Sequence, residues 1–412
     1  MKQLYRSLQA LKGNPRYCVF TEPLWFIPFA LYSPFLTLYM FSLGLEDAEI
    51  GILLSVGLFL QMIFALLGGV LTDKFGRRRT TFYADLLSWS IPVLIWAFAQ
   101  DFQWFLIATI FSSTGRISAV SWQCLLVEDA EPSSIVQIYN FVHIAGLLSV
   151  FFAPISGFFI EQYSLVPVMR VLLVITFVSM TLKFVLLYIY STETGQGRVR
   201  MEETHNVPLK QMLREYTGVF RQVLKTPATL RILALVTLLQ IQQMIASNFF
   251  SLYVTQDLGV PEYFLARFPI LRAAIMLIFF LGVQQRLDKF PIWVVMLTGL
   301  GVYIGGHALL LITPPGAITM LVIFTAMDAV ASALFLPRRD TLFILNTDAA
   351  ERARVMSLVT VIMLGVSSPF GYLAGILSGL DRRIPFAVCL VLFILMSVMV
   401  IMERKTKHET DG

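Results

Sequence analysis

Residues 69–79, with the sequence Gly-Val-Leu-Thr-Asp-Lys-Phe-Gly-Arg-Arg-Arg, lie between two long apolar runs. The glycines at 69 and 76 suit a closely packed helix end and a tight turn that needs a left-handed residue. Asp73 carries a charge that can lie against the N-terminal dipole of a neighbouring helix. The basic residues that follow suit anionic headgroups. The stretch therefore predicts a short, rigid loop at a membrane surface; the alternative is a loop that is basic only because it faces the cytoplasm.

The composition is that of a polytopic membrane protein. Of the 412 residues, 57% are hydrophobic and 14% are charged, and the mean hydropathy is +0.75. Soluble proteins carry roughly 25% charged residues. The net charge of +5 does not indicate a nucleic-acid partner, because the basic residues lie in loops on one predicted side. The cysteines at 18, 124 and 389 lack metal-ligand spacing, so we expect no metal site.

Apolar segments long enough to cross a bilayer recur twelve times. Their expected bounds are 19–43, 48–71, 80–100, 104–127, 134–160, 165–190, 228–256, 262–284, 292–312, 316–337, 353–378 and 383–402. With the N-terminus inside, the inner loops hold 24 Lys and Arg, and the outer loops hold only Arg382 and Arg383. This asymmetry places both termini in the cytoplasm of a multi-pass protein of the cell membrane.

The chain divides into four predicted parts. Residues 1–190 and 228–402 are six-helix bundles, 191–227 form a cytoplasmic linker with an amphipathic helix, and 403–412 are a cytoplasmic tail. The bundles look like copies of one another, since Asp73 recurs as Asp288 and Pro154 recurs as Pro369, both 215 residues later. The Ser33, Phe35 and Tyr39 pattern recurs at residues 247, 249 and 253.

The loop at residues 69–79 resembles the signature G-x-x-x-D-(R/K)-x-G-(R/K)-(R/K) of the major facilitator superfamily. Its defining positions are all filled, by Gly69, Asp73, Lys74, Gly76, Arg77 and Arg78. The resemblance implies an all-α membrane fold of twelve transmembrane helices in two six-helix bundles, with a midplane cavity lined by helices 1, 4, 7 and 10. It also implies transport by alternating access, with the Asp73 loop as a conformational switch and with a proton gradient rather than a cofactor as the energy source.

Ionisable residues inside predicted spans are candidates for proton coupling or substrate binding. They are Glu22, Asp85, Arg116, Arg272 and Asp328. Lys183 is also ionisable, but it lies near the end of its span and is expected to reach the membrane interface. Asp328 shares a helix face with Thr325 and Ser332, and it either carries protons or forms a permanent ion pair with Arg116 or Arg272. Glu22 and Asp85 lie one turn from the cytoplasmic ends of their helices, as coupling sites or as gate partners.

Arg116 resembles the superfamily's helix-4 arginine, which is associated with proton coupling, although Ala119 and Val120 replace the usual Gln-Gly. Arg116 serves either in proton coupling or anion binding, or as the ion-pair partner of an acidic residue.

Uncharged polar residues form further stripes that either line a wet cavity or hold helices together. The expected cavity-lining residues are Ser112, Gln123, Asn140, His143, Gln240, Gln243, Ser247, Thr325 and Ser332. His143 is either a hydrogen-bonded core residue or a proton relay. Ala153, Pro154 and Gly157 are similar to the end of an antiporter signature, and Pro154, Gly157 and Pro369 are expected to bend helices 5 and 11.

No nucleotide-binding loop, HExxH or nucleophile motif occurs, so we expect a transporter and not an enzyme. The first hypothesis is proton-coupled efflux of amphipathic compounds or drugs, and the second is import of a polar nutrient such as a sugar or organic anion. The third is a non-transporting sensor on the same fold, for which the ten residues after Met402 leave little room. The expected partners are a small-molecule substrate and the lipid bilayer, with the protein as a monomer.

Overall fold

The computed structural model describes residues 11–131, 134–212, 227–287, 289–345 and 352–410. These residues contain helices and no strand, which confirms the all-α fold class. The amphipathic helix expected in the linker falls mainly on residues 213–226, and the second copy of the loop aspartate is residue 288; both lie outside the described residues.

The chain forms two compact units by its internal contacts. One comprises residues 1–44 and 56–218, and the other comprises 45–55 and 219–412. The predicted division at residues 1–190, 191–227 and 228–402 stays a prediction.

Helices before the linker are numbered in chain order. They are α1 Gly13–Thr21, α2 Pro23–Tyr32, α3 Leu36–Ser42, α4 Asp47–Phe75, α5 Arg77–Asp85, α6 Ile91–Phe98, α7 Phe102–Ser113, α8 Gly115–Val127, α9 Ile135–Ser149, α10 Ala153–Tyr163, α11 Leu165–Tyr190 and α12 Gly195–Thr204. Short 3₁₀ turns, Ser33–Phe35 and Val150–Phe152, join α2 to α3 and α9 to α10, and a π-helical segment, Leu86–Ser90, joins α5 to α6.

Helices after residue 226 continue the numbering. They are α13 Pro227–Leu252, α14 Arg267–Gly282, α15 Gln284–Leu287, α16 Ile292–Leu311, α17 Ile318–Leu345, α18 Arg352–Leu380 and α19 Ile384–Thr410. A π-helical segment, Tyr253–Asp257, extends α13, and a 3₁₀ turn, Glu262–Ala266, precedes α14.

Ten helical stretches of the described residues are long and apolar enough to cross a membrane. The other two expected spans correspond to shorter helices. The segment predicted at 104–127 is divided between α7 and α8 at Thr114, and the segment predicted at 262–284 contains the 16-residue α14 after a 3₁₀ turn.

The internal repeat appears in matching contacts of two tyrosines. Tyr39 is fully buried and donates its hydroxyl hydrogen bond to the carbonyl oxygen of Trp96, at 2.9 Å. Tyr253 is equally buried and donates to the carbonyl oxygen of Leu310, at 3.2 Å. Each bond spans 57 residues, so the repeated sequence pattern produces the same packing in each unit.

Pro369 lies inside α18, and Ser55 binds the backbone beside it; the expected bend at Pro369 stays a prediction. A proline lacks the backbone N–H that a helix needs. The Ser55 hydroxyl donates to the carbonyl oxygen of Ser368 at 2.5 Å, and its oxygen accepts from the backbone N–H of Tyr372 at 2.7 Å. Ser55 thus bridges a carbonyl and an N–H that would otherwise bond to one another in the helix, whereas the bond that Pro369 cannot make is the one to the carbonyl oxygen of Gly365. Pro154 instead begins α10, after a 3₁₀ turn, and Gly157 is buried.

The first residues of α4 belong to the second unit, where they approach α18 through glycines. A Cβ atom on Gly51 would lie 2.7 Å from the carbonyl oxygen of Gly371 and 2.8 Å from the Cα atom of Gly375. Both neighbours are backbone atoms, which cannot rotate away. This contact therefore requires glycine.

Replacement of this glycine should destabilise the second unit. We expect Gly51→Ala to lower the free energy of unfolding by about 1–3 kcal/mol, the usual cost of overpacking. Gly301→Ala is the matched control, because no atom lies within 4 Å of its added Cβ. Thermal unfolding in detergent measures the difference, and equal melting temperatures for the two variants would show that the contact is not tight.

Candidate functional site

Asp73 is held by two arginines of the first unit. Its carboxylate contacts Arg77 Nη1 at 3.1 Å and Arg200 Nη2 at 2.9 Å. Arg200 lies on α12 and also pairs with Glu203 at 2.8 Å. The expectation that Asp73 lies against a helix dipole is therefore not met in the described residues, because the arginines supply its counter-charge. Asp73 instead ties the end of α4 to α12.

Glu193 lies at the N-terminus of α5, the position expected for Asp73. It accepts the backbone N–H bonds of Arg77 at 2.8 Å and of Arg78 at 3.1 Å. Helix N-termini favour such carboxylates because their first N–H groups have no partner within the helix. Gly76 has φ 84° and ψ 159°, a conformation that is essentially confined to glycine. The turn expected at Gly76 is therefore present, with Glu193 packed against it.

Arg77 is buried and does not face headgroups. Its guanidinium forms hydrogen bonds to Glu128, with Nε to Oε2 at 3.0 Å. Burial alone would raise the pKa of Glu128, but the hydrogen bonds from Arg77 and Thr194 outweigh it and lower that pKa below its usual value. The stabilisation from this pair is therefore present at neutral pH and is lost as the pH falls through the lowered pKa.

The other basic residues of the loop also bind protein groups. Arg78 donates two hydrogen bonds to the carbonyl oxygen of Tyr188, with Nη2 at 2.6 Å, and lies 4.2 Å above the ring of that tyrosine. Lys74 donates to the carbonyl oxygen of Val207 at 2.8 Å. Gly69 is half-buried near the end of α4, whereas the neighbouring Gly68 makes the close approach to α8. The loop is thus fixed to α11, α12 and the chain that follows.

Glu22 forms a buried ion pair with Lys183. Glu22 Oε1 and Lys183 Nζ lie 2.7 Å apart, and both residues are less than 5% exposed. The lysine ammonium lies 5.8 Å from the ring centres of Trp25 and Trp122. Lys183 was expected to reach the membrane interface, but it is the counter-charge of Glu22.

Asp85 lies beside this pair, at the end of α5. It is 6% exposed, and both Lys183 and Glu22 act on it electrostatically. No ion pair of Asp85 occurs among the described residues. The first unit therefore places both candidate carboxylates of the sequence in one cluster with one lysine.

Arg116 binds an amide and forms no ion pair in the described part of the chain. Its Nε donates to Gln61 Oε1 at 2.9 Å, and the residue is half-buried. On the same helix face, Gln123 is exposed, and Ser112 on α7 is half-buried and hydrogen-bonded to the Thr109 carbonyl oxygen. A guanidinium with free donors and partial access can bind an anionic group.

The remaining polar candidates differ in exposure. Asn140 and His143 are exposed on α9. On α13 Gln243 and Ser247 are exposed and Gln240 is half-buried. These five residues have the accessibility that cavity lining requires.

Asp328 forms an ion pair with Arg272. Arg272 also donates through Nη2 to Ser332 Oγ at 2.8 Å, and Ser332 shares a 2.7 Å hydrogen bond with the hydroxyl of Tyr303. Asp328, Thr325 and Ser332 are all buried, whereas the Arg272 side chain is 43% exposed. The second unit thus satisfies its central carboxylate with a cation from α14.

A buried histidine adjoins this network. His307 meets Phe393 edge to face with ring centres 4.9 Å apart, and its Nε2 has no hydrogen-bond partner among the described residues. No group of three His, Cys, Asp or Glu residues in the described ranges could hold a metal ion.

Several important residues were missed in the sequence. They are Gln61, Glu128, Glu193, Arg200 and Tyr303, together with Arg382, which joins Asp47 to Asp257. Each acts through a partner more than 25 residues away in sequence. The charged residues of this set were marked by a charge within or beside an apolar span, which does not name a partner, and Gln61 and Tyr303 lacked even that signal.

Comparisons with known proteins agree with this architecture. A sequence model of the Major Facilitator Superfamily matches residues 24–316. The fold is similar to a mutant of the nucleoside transporter NupG, with a TM-score of 0.73, 14% identity and coverage of 95% of this chain and 99% of that one. It is also similar to the POT family transporter PepTSo, with a TM-score of 0.70, 12% identity and coverage of 95% and 98%.

The human organic anion transporter MFSD10 is another structure with this fold, at a TM-score of 0.62, 14% identity and coverage of 96% and 99%. A search of curated proteins finds no match. Identities this low show the fold alone. The family match itself covers more than half of the sequence and includes the Asp73 loop. This chain therefore belongs to the major facilitator superfamily, as a multi-pass membrane transporter of small molecules and not an enzyme.

Proposed function

We propose that the protein exports an amphipathic organic compound in exchange for protons. One observation carries this proposal: an aromatic cluster lies beside buried carboxylates in the first unit. Trp25 stacks on Phe29 at 5.0 Å and meets Trp89 edge-on at 4.8 Å, and all three rings are half-buried. Aromatic rings bind flat apolar and cationic molecules, and the adjacent carboxylates supply proton-binding groups.

We also propose alternating access in the cell membrane, with both termini in the cytoplasm and the protein acting as a monomer. In this orientation Asp73, Arg77 and Arg200 lie on the cytoplasmic side. The ion pairs of Asp73 hold α4 to α12, so a change in these pairs alters the mobility of this end of the first unit. The pairs therefore govern the rate of conformational exchange more than substrate affinity.

Import of a polar nutrient is the second candidate function. It is favoured by Arg116, whose guanidinium forms no ion pair among the described residues, and by the exposed amide of Gln243. A carboxylate or phosphate group on the substrate would supply the missing counter-charge. Proteins of similar fold carry nucleosides and organic anions, and an anionic nutrient fits the same chemistry here.

Export can be tested directly in inverted membrane vesicles. Vesicles that contain the intact protein should accumulate ethidium when their interior is acidified, because protons then leave as the dye enters. A protonophore should abolish the accumulation, and vesicles without the protein are the control. Absence of gradient-driven uptake for ethidium and for other aromatic cations would contradict export.

The aromatic cluster should set the affinity for the dye. We expect Trp89→Ala to raise the half-saturating ethidium concentration by about 2- to 10-fold, the worth of one aromatic contact. Phe158→Ala is the control, because Phe158 is 56% exposed and, among the described residues, its ring contacts only that of Phe159. Equal affinities in these two variants would move the substrate site away from the cluster.

Loss of the Asp73 charge should slow transport more than it weakens binding. Asp73→Asn removes the carboxylate shared by Arg77 and Arg200, so the maximal rate should fall while the half-saturating concentration changes little. Glu203→Gln is the matched control, because it removes the other partner of Arg200 and leaves Asp73 intact. An unchanged rate with lower affinity would refute the switch role.

The import hypothesis predicts that Arg116 recognises an anionic group. A screen of nucleosides, nucleotides, dipeptides and organic acids by thermal shift should find ligands that stabilise the intact protein and fail to stabilise Arg116→Gln. Arg267→Gln is the control, since Arg267 lies over the Phe264 ring, 4.5 Å away, in the second unit. Equal stabilisation of all three proteins would remove Arg116 from the binding site.

A further inference from the structure

The cluster of Glu22, Asp85 and Lys183 contains one carboxylate more than its cations can balance. Glu22 and Lys183 are satisfied by one another at 2.7 Å. Asp85 is buried beside them and has no ion pair in the described ranges. An unbalanced charge that is buried in a membrane protein is strongly unfavourable. A bound proton would remove this cost.

Arg78, two turns earlier on α5, lines the same small cavity as Asp85, but its guanidinium is bound to the carbonyl oxygen of Tyr188. Lys183 and Glu22 are the charged groups that act on it, and Ser118 of α8 is its hydrogen-bonding neighbour. The fully buried thiol of Cys18, on α1, adjoins all three ionisable groups. The other contacts of the lysine ammonium are the rings of Trp25, Trp122 and Phe184, which carry no charge.

Two further polar atoms around the cluster are unpartnered. Ser88 is 2% exposed and lies three residues beyond Asp85, in the π-helical segment Leu86–Ser90; its Oγ has no hydrogen-bond partner in the described part of the chain. The indole Nε1 of Trp122 is also buried without a partner. Buried groups of this kind ordinarily bind internal water, which can carry a proton to a carboxylate.

We propose that Asp85 is an exchangeable proton-binding site, with Glu22 and Lys183 as its charge-balanced neighbours. Protonation neutralises the Asp85 carboxylate and leaves the Glu22–Lys183 pair intact. Release of the proton restores a second negative charge, which attracts the Lys183 ammonium away from Glu22. Because Lys183 belongs to α11 and Asp85 to α5, the proton changes the attraction between these helices. The use of this proton in transport rests on the export function proposed above, whereas its binding does not.

Asp328 provides the contrast. Its carboxylate is bonded to the guanidinium of Arg272, which also binds Ser332. This pair is electrically neutral, so it needs no proton for balance. The two buried aspartates therefore differ in charge balance: Asp328 has its own cation, and Asp85 does not have one among the described residues.

Infrared difference spectroscopy tests the site without any substrate. When the pH is lowered from about 9 to about 5, the intact protein in lipid nanodiscs should gain a protonated-carboxyl band. This band should be absent in Asp85→Asn, retained in Asp85→Glu and retained in Asp328→Asn, the matched buried aspartate. Retention of the full band in Asp85→Asn, or its loss in Asp328→Asn, would overturn the assignment.

A second variant, Lys183→Met, tests the proposal if Asp85→Asn fails to fold. Lys183→Met removes the only cation of the cluster, so the carboxyl band should then persist to a higher pH than in the intact protein. An unchanged titration in Lys183→Met would also overturn the proposal. Size-exclusion profiles and melting temperatures establish that each variant is folded.

Ethidium uptake separates this site from the proposed function. A carboxyl band that depends on Asp85, in a protein that fails to accumulate any aromatic cation, supports the site and refutes export. Export that persists in Asp85→Asn at the intact rate and gradient dependence refutes the coupling role of Asp85. Export that becomes independent of the proton gradient in Asp85→Asn supports both.

Discussion

A hydrocarbon environment offers no partner to a polar group, so every polar group in a spanning helix must find its partner within the protein. Most buried polar groups described above follow this constraint. The Ser55 hydroxyl binds both the carbonyl oxygen of Ser368 and the N–H of Tyr372 in α18. In the first unit Glu22 forms an ion pair with Lys183, and in the second Asp328 forms one with Arg272. The few buried groups that lack a partner among the described residues are therefore the ones that can still bind a proton or a ligand.

Much of the fold can be predicted from the local sequence. Span length and apolar composition predict the helices, and the recurrence of the Tyr39 pattern at Tyr253 predicts two similarly packed halves, which the matching hydrogen bonds confirm. The expected turn at Gly76 is also present, since its backbone angles favour glycine. The breaks at Thr114 and before α14 were not foreseen, because an apolar run does not reveal where its helix is interrupted.

The partners of charged residues were much harder to predict. Asp73 was assigned to a helix dipole, but Glu193 occupies the helix N-terminus and two arginines hold Asp73. Lys183 was placed at the interface because nothing nearby in sequence shows that Glu22, 161 residues earlier, lies opposite it. Charge inside a span identifies a candidate residue, whereas its role depends on which distant helix supplies the counter-charge. Only three-dimensional packing contains that information.

The distribution of unbalanced charge distinguishes the two units. In the second unit the central acid and base neutralise one another. In the first, Asp85 adds a negative charge near a satisfied pair, and Arg116 adds a positive charge bound only by an amide. Both groups involve α8. Arg116 belongs to this helix, and Ser118, two residues later, adjoins Asp85 on α5. If Asp85 binds a proton as proposed, the electrostatic environment of α8 changes, and an anionic group at Arg116 would change the environment of the same helix. A displacement of α8 would then alter both environments together, and this is how the proposed proton site would be linked to a substrate within one unit.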